Sequence, residues 1–225
     1  EPVAREARRG LVLGPEIAEH QPGIGGMDGE HPRRSPGHDV ARIVHAQLRT
    51  FWALGVEYDL LVWESDVVAA GFLARGLEVL EASPFVDRPS EGKYAGALVM
   101  NVGELIPGLE EPNVVLVRSD GNAMYVAKDI GYQFWKAGIF EGLAYAAFAR
   151  QASGATLWTS QPGGDPHPEG RTFAHAQEIV NVIDVRQTHP QTLVRSALAL
   201  SGTPEGEAAF RTSRHLAYEV VTLEG

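Results

Sequence analysis

Four polar side chains in this sequence have the types and positions to hold a small cation. Tyr125 and Asp129 stand four apart in "VRSDGNAMYVAKDIGYQFWK", residues 117–136, where a strand and tight turn give way to an amphipathic helix. Residues four apart on a helix are neighbours, so a helix beginning by Tyr125 puts a phenol and a carboxylate on one face. Glu64 ends the run "LLVWE" and Gln187 ends "VIDVRQ". In open α/β sheets, ligands bind beyond the carboxyl ends of strands, where these positions fall. Two carboxylates and a phenol supply acceptors, while the Gln187 amide accepts and donates. A guanidinium carries five donors in a planar fork and meets a carboxylate bidentately. The set therefore suits an arginine-like cation better than a phosphate. Plainer roles stay open for each residue: Asp129 as a helix cap or dipole partner, Tyr125 as packing. Glu64 could cap a helix that starts beside it, with Asp66 competing for that place.

The elements that must position these groups are readable from periodicity. In "HDVARIVHAQLRTFWALGV", Val40, Ile43, Val44, Leu48, Phe51 and Trp52 recur at helical spacing, and Gly55 supplies a stop. "YDLLVWES" reads as a short buried strand and "DVVAAGFLARGLEVLEAS" as one amphipathic helix. Two period-2 runs, "KYAGALVMNV" and "NVVLVRSD", read as an inserted antiparallel module. Asp120 and Gly121 make a turn before the helix "KDIGYQFWKAGIF", and "QASGATLWTSQPGGDPHPEGRTF" reads as a long irregular loop. "EIVNVIDVR", "PQTLVRSALALSG" and "HLAYEVVTL" then give strand, helix and strand, the pattern of a parallel α/β unit. Residues 1–37 contain "QPGIGGMDGEHPRRSPGH" and read as an irregular Gly/Pro-rich segment. Its "GIGG" lacks the preceding strand that a dinucleotide loop needs.

Composition removes several classes of function. Apolar residues at 44% and charged ones at 21% describe a soluble globular chain with a real core. A formal charge of −10 argues against a general polyanion binder, whose affinity rests on Lys and Arg. The absence of Cys excludes disulfides and thiolate metal sites and fits a cytoplasmic protein. No run approaches the roughly 20 apolar residues of a membrane helix, so no membrane partner is expected. His38 and His45 lie seven apart, no HExxH occurs, and no metal site is expected. There is no GxSxG, phosphate loop or Cys nucleophile, hence no catalytic residue within the chain. The first residue is Glu and no start signal is visible, which leads us to expect a fragment of a longer chain.

Four blocks, "HDVARIVHAQLRTFWALGVEYDLLVWESD", "VRSDGNAMYVAKDIGYQFWK", "VNVIDVRQTHPQTLVRSALALSG" and "HLAYEVVTLEG", resemble consecutive blocks of the arginyl-tRNA synthetase family, bacterial thermophile type. The resemblance covers residues 38–225. It implies part of a class I catalytic domain that activates L-arginine with ATP and Mg and passes it to tRNA(Arg). The implied fold is α/β: a partial Rossmann-like parallel sheet with an inserted small antiparallel module. In that scheme residues 38–65 supply a helix and strand of the catalytic domain, 66–120 the insert, and 121–225 the second Rossmann-like half. By the same resemblance Tyr125 and Asp129 bind the guanidinium, Glu64 lies near it, and Gln187 holds the α-ammonium end. The His-x-Gly-His and Lys-Met-Ser-Lys-Ser loops that such enzymes place on ATP are absent from these residues. The chain alone is therefore expected not to aminoacylate. A non-catalytic, synthetase-like paralogue that binds arginine or a protein partner is the alternative. A sheet lacking its other half would also leave an edge and an apolar face open.

Overall fold

The computed structural model describes residues 12–13, 36–161 and 163–219. The first helix, α1 (Pro36–Ala53), ends as its glycine predicts. Gly55 takes φ 74°, and its N–H and that of Val56 donate to the carbonyls of Trp52 and Phe51 at 3.0 and 2.9 Å. That pair of bonds satisfies the last carbonyls of the helix. The buried stripe is narrower than the sequence suggests: Val44 and Leu48 are buried, whereas Ile43 is exposed.

Strand β2 (Leu60–Leu61) follows and leads into α2 (Glu64–Ala69) and α3 (Phe72–Glu81). One helix is expected here and two are found, because Gly71 sits in the left-handed region at φ 69° and breaks the hydrogen-bond ladder. Next come β3 (Val86–Asp87), β4 (Leu98–Asn101) and β5 (Asn113–Val117), then α4 (Tyr125–Ala137). The period-2 runs form β4 and β5, which pair antiparallel as expected, and the short β3 adds a third strand to the same sheet.

The run read as a long loop needs correction. It contains β7 (Thr156–Gln161), which pairs with β6 (Ala144–Arg150) and with β2. Strand β7 pairs as a hairpin with β6 and in parallel with the distant β2, and Gly, Ser and Pro around it mask the short apolar core of the strand. A second correction concerns residues 1–37. Val12–Leu13 forms strand β1, parallel to β2, so the four-stranded sheet runs β1-β2-β7-β6 with β6 antiparallel. Pro36 and Gly37 already belong to α1, while the "GIGG" motif lies outside the described residues.

The last part is strand β8 (Ile179–Asp184), α5 (Thr188–Leu200), α6 (Pro204–Thr212) and strand β9 (Ser213–Tyr218). Strands β8 and β9 are parallel in register from Ile179 opposite Ser213 to Asp184 opposite Tyr218. The crossover holds two helices where the sequence suggests one. Helix α6 starts on a Thr203 cap, whose Oγ1 accepts from Gly206 N–H at 3.0 Å, with Pro204 opening its first turn. The final residues of the "HLAYEVVTL" run lie outside the described residues.

One core runs from Leu60 on β2 through α3 and α4 to Ala209 on α6, centred on Phe72, Ile130, Phe134 and Trp135. A smaller one joins α1 to β2 and β7 through Leu48, Tyr58, Leu61 and Leu157. The architecture is mixed α/β with several sheets, and no helix among the described residues is long and apolar enough to cross a membrane.

Candidate functional site

The turn before α4 is built by short-range bonds that the sequence spells out. Gly121 takes φ 86° and donates to Arg118 C=O at 2.9 Å. Asp120 Oδ1 accepts from Asn122 N–H at 2.9 Å, which with the Asn122 side chain holds the Asp120 carboxyl below the usual carboxylate range. Met124 N–H then returns to Leu116 C=O at 2.8 Å. The chain thus folds back on β5 and launches α4 with Tyr125 as its first residue.

Tyr125 is 58% exposed. Met124 is the N-cap and makes no side-chain capping bond. Asp129 stands in the second turn, beyond cap reach, on the same face as Tyr125. It is partly buried, and its charge reaches Lys136 about two turns further along the helix.

Glu64 is the exposed first residue of α2, just past the carboxyl end of β2. The cap there is Trp63, again without a side-chain bond. Asp66 is buried and accepts from Ser160 Oγ at 2.6 Å, while Trp63 N–H donates to the same oxygen at 2.9 Å. Ser160 of β7 therefore pins the corner that carries Glu64, and Asp66 is committed to that joint rather than to a cap.

Gln187 is exposed and ends a 3-10 turn (Val185–Gln187) beyond the carboxyl end of β8. Asp184 shapes that turn. Its Oδ1 accepts from Arg186 N–H at 2.9 Å and from Arg186 Nε at 2.8 Å, which keeps its carboxyl below the usual range. Thr188 Oγ1 closes the turn on Val185 C=O at 2.6 Å.

The structure also joins the helix of Tyr125 and Asp129 to the strand before Gln187. Asn181, midway along β8, accepts from Lys136 Nζ at 3.0 Å. Its Nδ2 donates to Gln133 Oε1 at 3.2 Å and to Gln191 Oε1 at 2.9 Å. Gln133 Nε2 in turn donates to Ser213 Oγ at 2.9 Å. Gln133, Gln191 and Ser213 are buried. Burial pushes the Lys136 ammonium down to about 8, against the pull of Asp129, and its Nζ lies 4.5 Å from the Tyr132 ring centre. None of these five residues stands out by spacing. The one visible signal is an amide, Asn181, in the middle of the otherwise apolar "IVNVI". Glu64 reaches this assembly less directly, with α2 packing on α3 and α3 on α4.

Several known proteins are similar to this chain in sequence and structure. The arginine–tRNA ligase of Deinococcus radiodurans is 60% identical over 186 residues, which make up 83% of this chain and 30% of that protein. That of Thermus thermophilus is 51% identical over 211 residues, 94% of this chain and 34% of the relative. The Pyrococcus furiosus ligase is 40% identical over 180 residues. The solved arginyl-tRNA synthetase of Thermus thermophilus superposes with a TM-score of 0.71 at 52% identity, covering 81% of this chain and 30% of that one. No family model matches the chain. The chain spans about a third of the length of these relatives.

Proposed function

We propose, from the premise that this chain is a homologue of arginyl-tRNA synthetases over about a third of their length, that it forms the arginine-selecting part of an arginine–tRNA ligase. The reading rests on one observation above all. Helix α4 begins at Tyr125, so an exposed phenol and the Asp129 carboxylate occupy adjoining turns of one helix face. Asp129 meets the planar guanidinium fork as a bidentate acceptor, Tyr125 flanks it, and Glu64 adds a second carboxylate. Gln187, at the end of β8, takes the α-ammonium end. Lysine presents a point charge and would leave acceptors unpaired, each costing about 1–3 kcal/mol when buried.

In this reading residues 66–120 are an insert between the two parts of a class I, Rossmann-like catalytic domain formed by 38–65 and 121–225. ATP and tRNA(Arg) are the other substrates of the intact protein, with Mg as the counter-ion of ATP. The residues named here select and orient the amino acid, a proximity role; no residue of this chain is assigned to ATP. The 225-residue chain by itself is expected not to aminoacylate.

The test is arginylation of tRNA by the intact protein carrying Asp129→Ala. Removing one partner of a desolvated charge pair costs about 2–5 kcal/mol, so kcat/KM for arginine should fall about 30- to 5,000-fold. A normal kcat/KM in that variant would overturn the assignment. Arginine binding without any aminoacylation by the intact protein would point instead to a non-catalytic paralogue.

A further inference from the structure

The wall of α4 and the strand before Gln187 meet through side chains that no assignment of the arginine site includes. Lys136, Gln133, Asn181, Gln191 and Ser213 come from α4, β8, α5 and β9 and form one continuous hydrogen-bonded chain. The elements it joins also carry buried apolar residues of the main core, among them Ile130, Phe134, Ile179, Val194 and Ala197. Polar groups in such a place cost free energy unless fully bonded, and apolar residues of similar volume often give equal or greater stability. Hydrogen bonds differ from apolar contacts in fixing direction and distance. A joint of this kind therefore suits a place where spacing matters more than stability.

We propose that Asn181, with Lys136 as its bonded partner, is a positioning residue that sets arginine specificity by holding α4 at a fixed distance from the end of β8. This rests on the arginine-site reading above. Asn181 is the hub because its two ends act on different elements. Its carbonyl oxygen takes the Lys136 ammonium of α4, and its amide reaches both α4 and α5. Three residues further along β8, Asp184 opens the turn that presents Gln187. One helical turn and three residues before Lys136, Asp129 presents its carboxylate. A slip at Asn181 would change the gap between the residues for the guanidinium and for the α-ammonium. Misplacement by about 1 Å costs roughly 100-fold in rate in a preorganised site.

The experiment is steady-state arginylation by the intact protein with Asn181→Leu, Lys136→Met, the double variant, Asn181→Asp and Asp129→Ala. Asn181→Leu and Lys136→Met should each raise the KM for arginine about 10- to 100-fold and leave the KM for ATP within about twofold. The double variant should be no worse than Asn181→Leu, which already removes the Lys136 bond together with those to Gln133 and Gln191. Asn181→Asp keeps an acceptor for the ammonium but cannot donate to Gln133 and Gln191, so its arginine KM should fall between those of wild type and Asn181→Leu. An unchanged arginine KM in Asn181→Leu and Lys136→Met, with Asp129→Ala defective, overturns the inference and leaves the arginine site standing. Equal rises in the KM for ATP and arginine also overturn it, because they mark general damage. A normal arginine KM in Asp129→Ala overturns the site reading itself. Lys136→Met, which keeps an unbranched side chain only one atom shorter, decides the matter if Asn181→Leu does not fold.

Discussion

At the scale of single residues, Lys136 is an ammonium kept where water is scarce. Burial lowers its pKa from 10.5 to about 8, with the Asp129 charge acting in the other direction. Between those two values the unfolded chain holds a proton that the folded chain has released, so stability rises with pH across that window. Lys136→Met has no such group. The urea midpoint of wild type, measured against that of Lys136→Met, should therefore climb between pH 8 and 10.5; a flat difference would contradict the burial. The Asp129 effect has its own check. Asp129→Asn removes the charge that favours the ammonium, so NMR titration of the Lys136 ζ nitrogen should give a pKa below the wild-type value. The shared helix face of Tyr125 and Asp129 was legible in the sequence because four-residue spacing on a helix is a local matter. The Asn181 joint was not, since its bonds bridge 45, 48 and 10 residues and the Gln133–Ser213 bond bridges 80. No short window contains both partners of such a bond.

At the scale of elements, the glycine stop of α1 and the turn before α4 were readable, whereas the Gly71 break, the Thr203 cap of α6 and strand β7 were not. Gly55 and the Asp120–Gly121 turn act where the sequence places them, whereas β7 takes its order from β2 and β6. Two joints explain how the elements hold together. Helices α3 and α4 cross at glycines: a Cβ on Gly131 would lie 2.4 Å from Phe72 C=O, and one on Gly76 would lie 3.0 Å from Gly131 Cα. The obstacle is backbone, which cannot swing aside. Gly131→Ala should destabilise by about 1–3 kcal/mol in urea unfolding, despite the better helix propensity of Ala; a neutral result would mean that the helices separate easily. The second joint is Gln151. Its Oε1 accepts from Tyr58 N–H at 3.0 Å and from Trp52 Nε1 at 3.3 Å, and its Nε2 donates to Tyr58 C=O at 2.8 Å. One amide thus bonds a strand-like backbone and anchors α1 to the sheet. Gln151→Leu leaves a buried N–H and C=O unmade and should cost about 1–3 kcal/mol by the same measurement.

At the scale of the whole molecule, the β8–β9 sheet is covered unevenly. Asn181 and Ser213 point to the side where α4 and α5 lie. Their alternates, Val180, Val182, Leu216 and Tyr218, share the opposite face and are 40%, 53%, 57% and 47% exposed. Parallel sheets are as a rule covered on both faces, and the relatives of this chain are about three times as long. Prepared by itself, the 225-residue chain turns this apolar strip to solvent, where a second copy can bury it. Arg214 stands on the same face and limits, without preventing, such an approach, since its guanidinium pairs with Glu178. The chain alone should therefore sediment with a weight-average mass that rises with concentration. Val182→Lys together with Leu216→Glu places opposite charges directly across the strand pair, where they can attract each other within one sheet while making the face polar. That double variant should sediment as a single monomer of about 24.3 kDa at every concentration tested. Concentration-dependent association that survives the double variant would locate the sticky surface elsewhere.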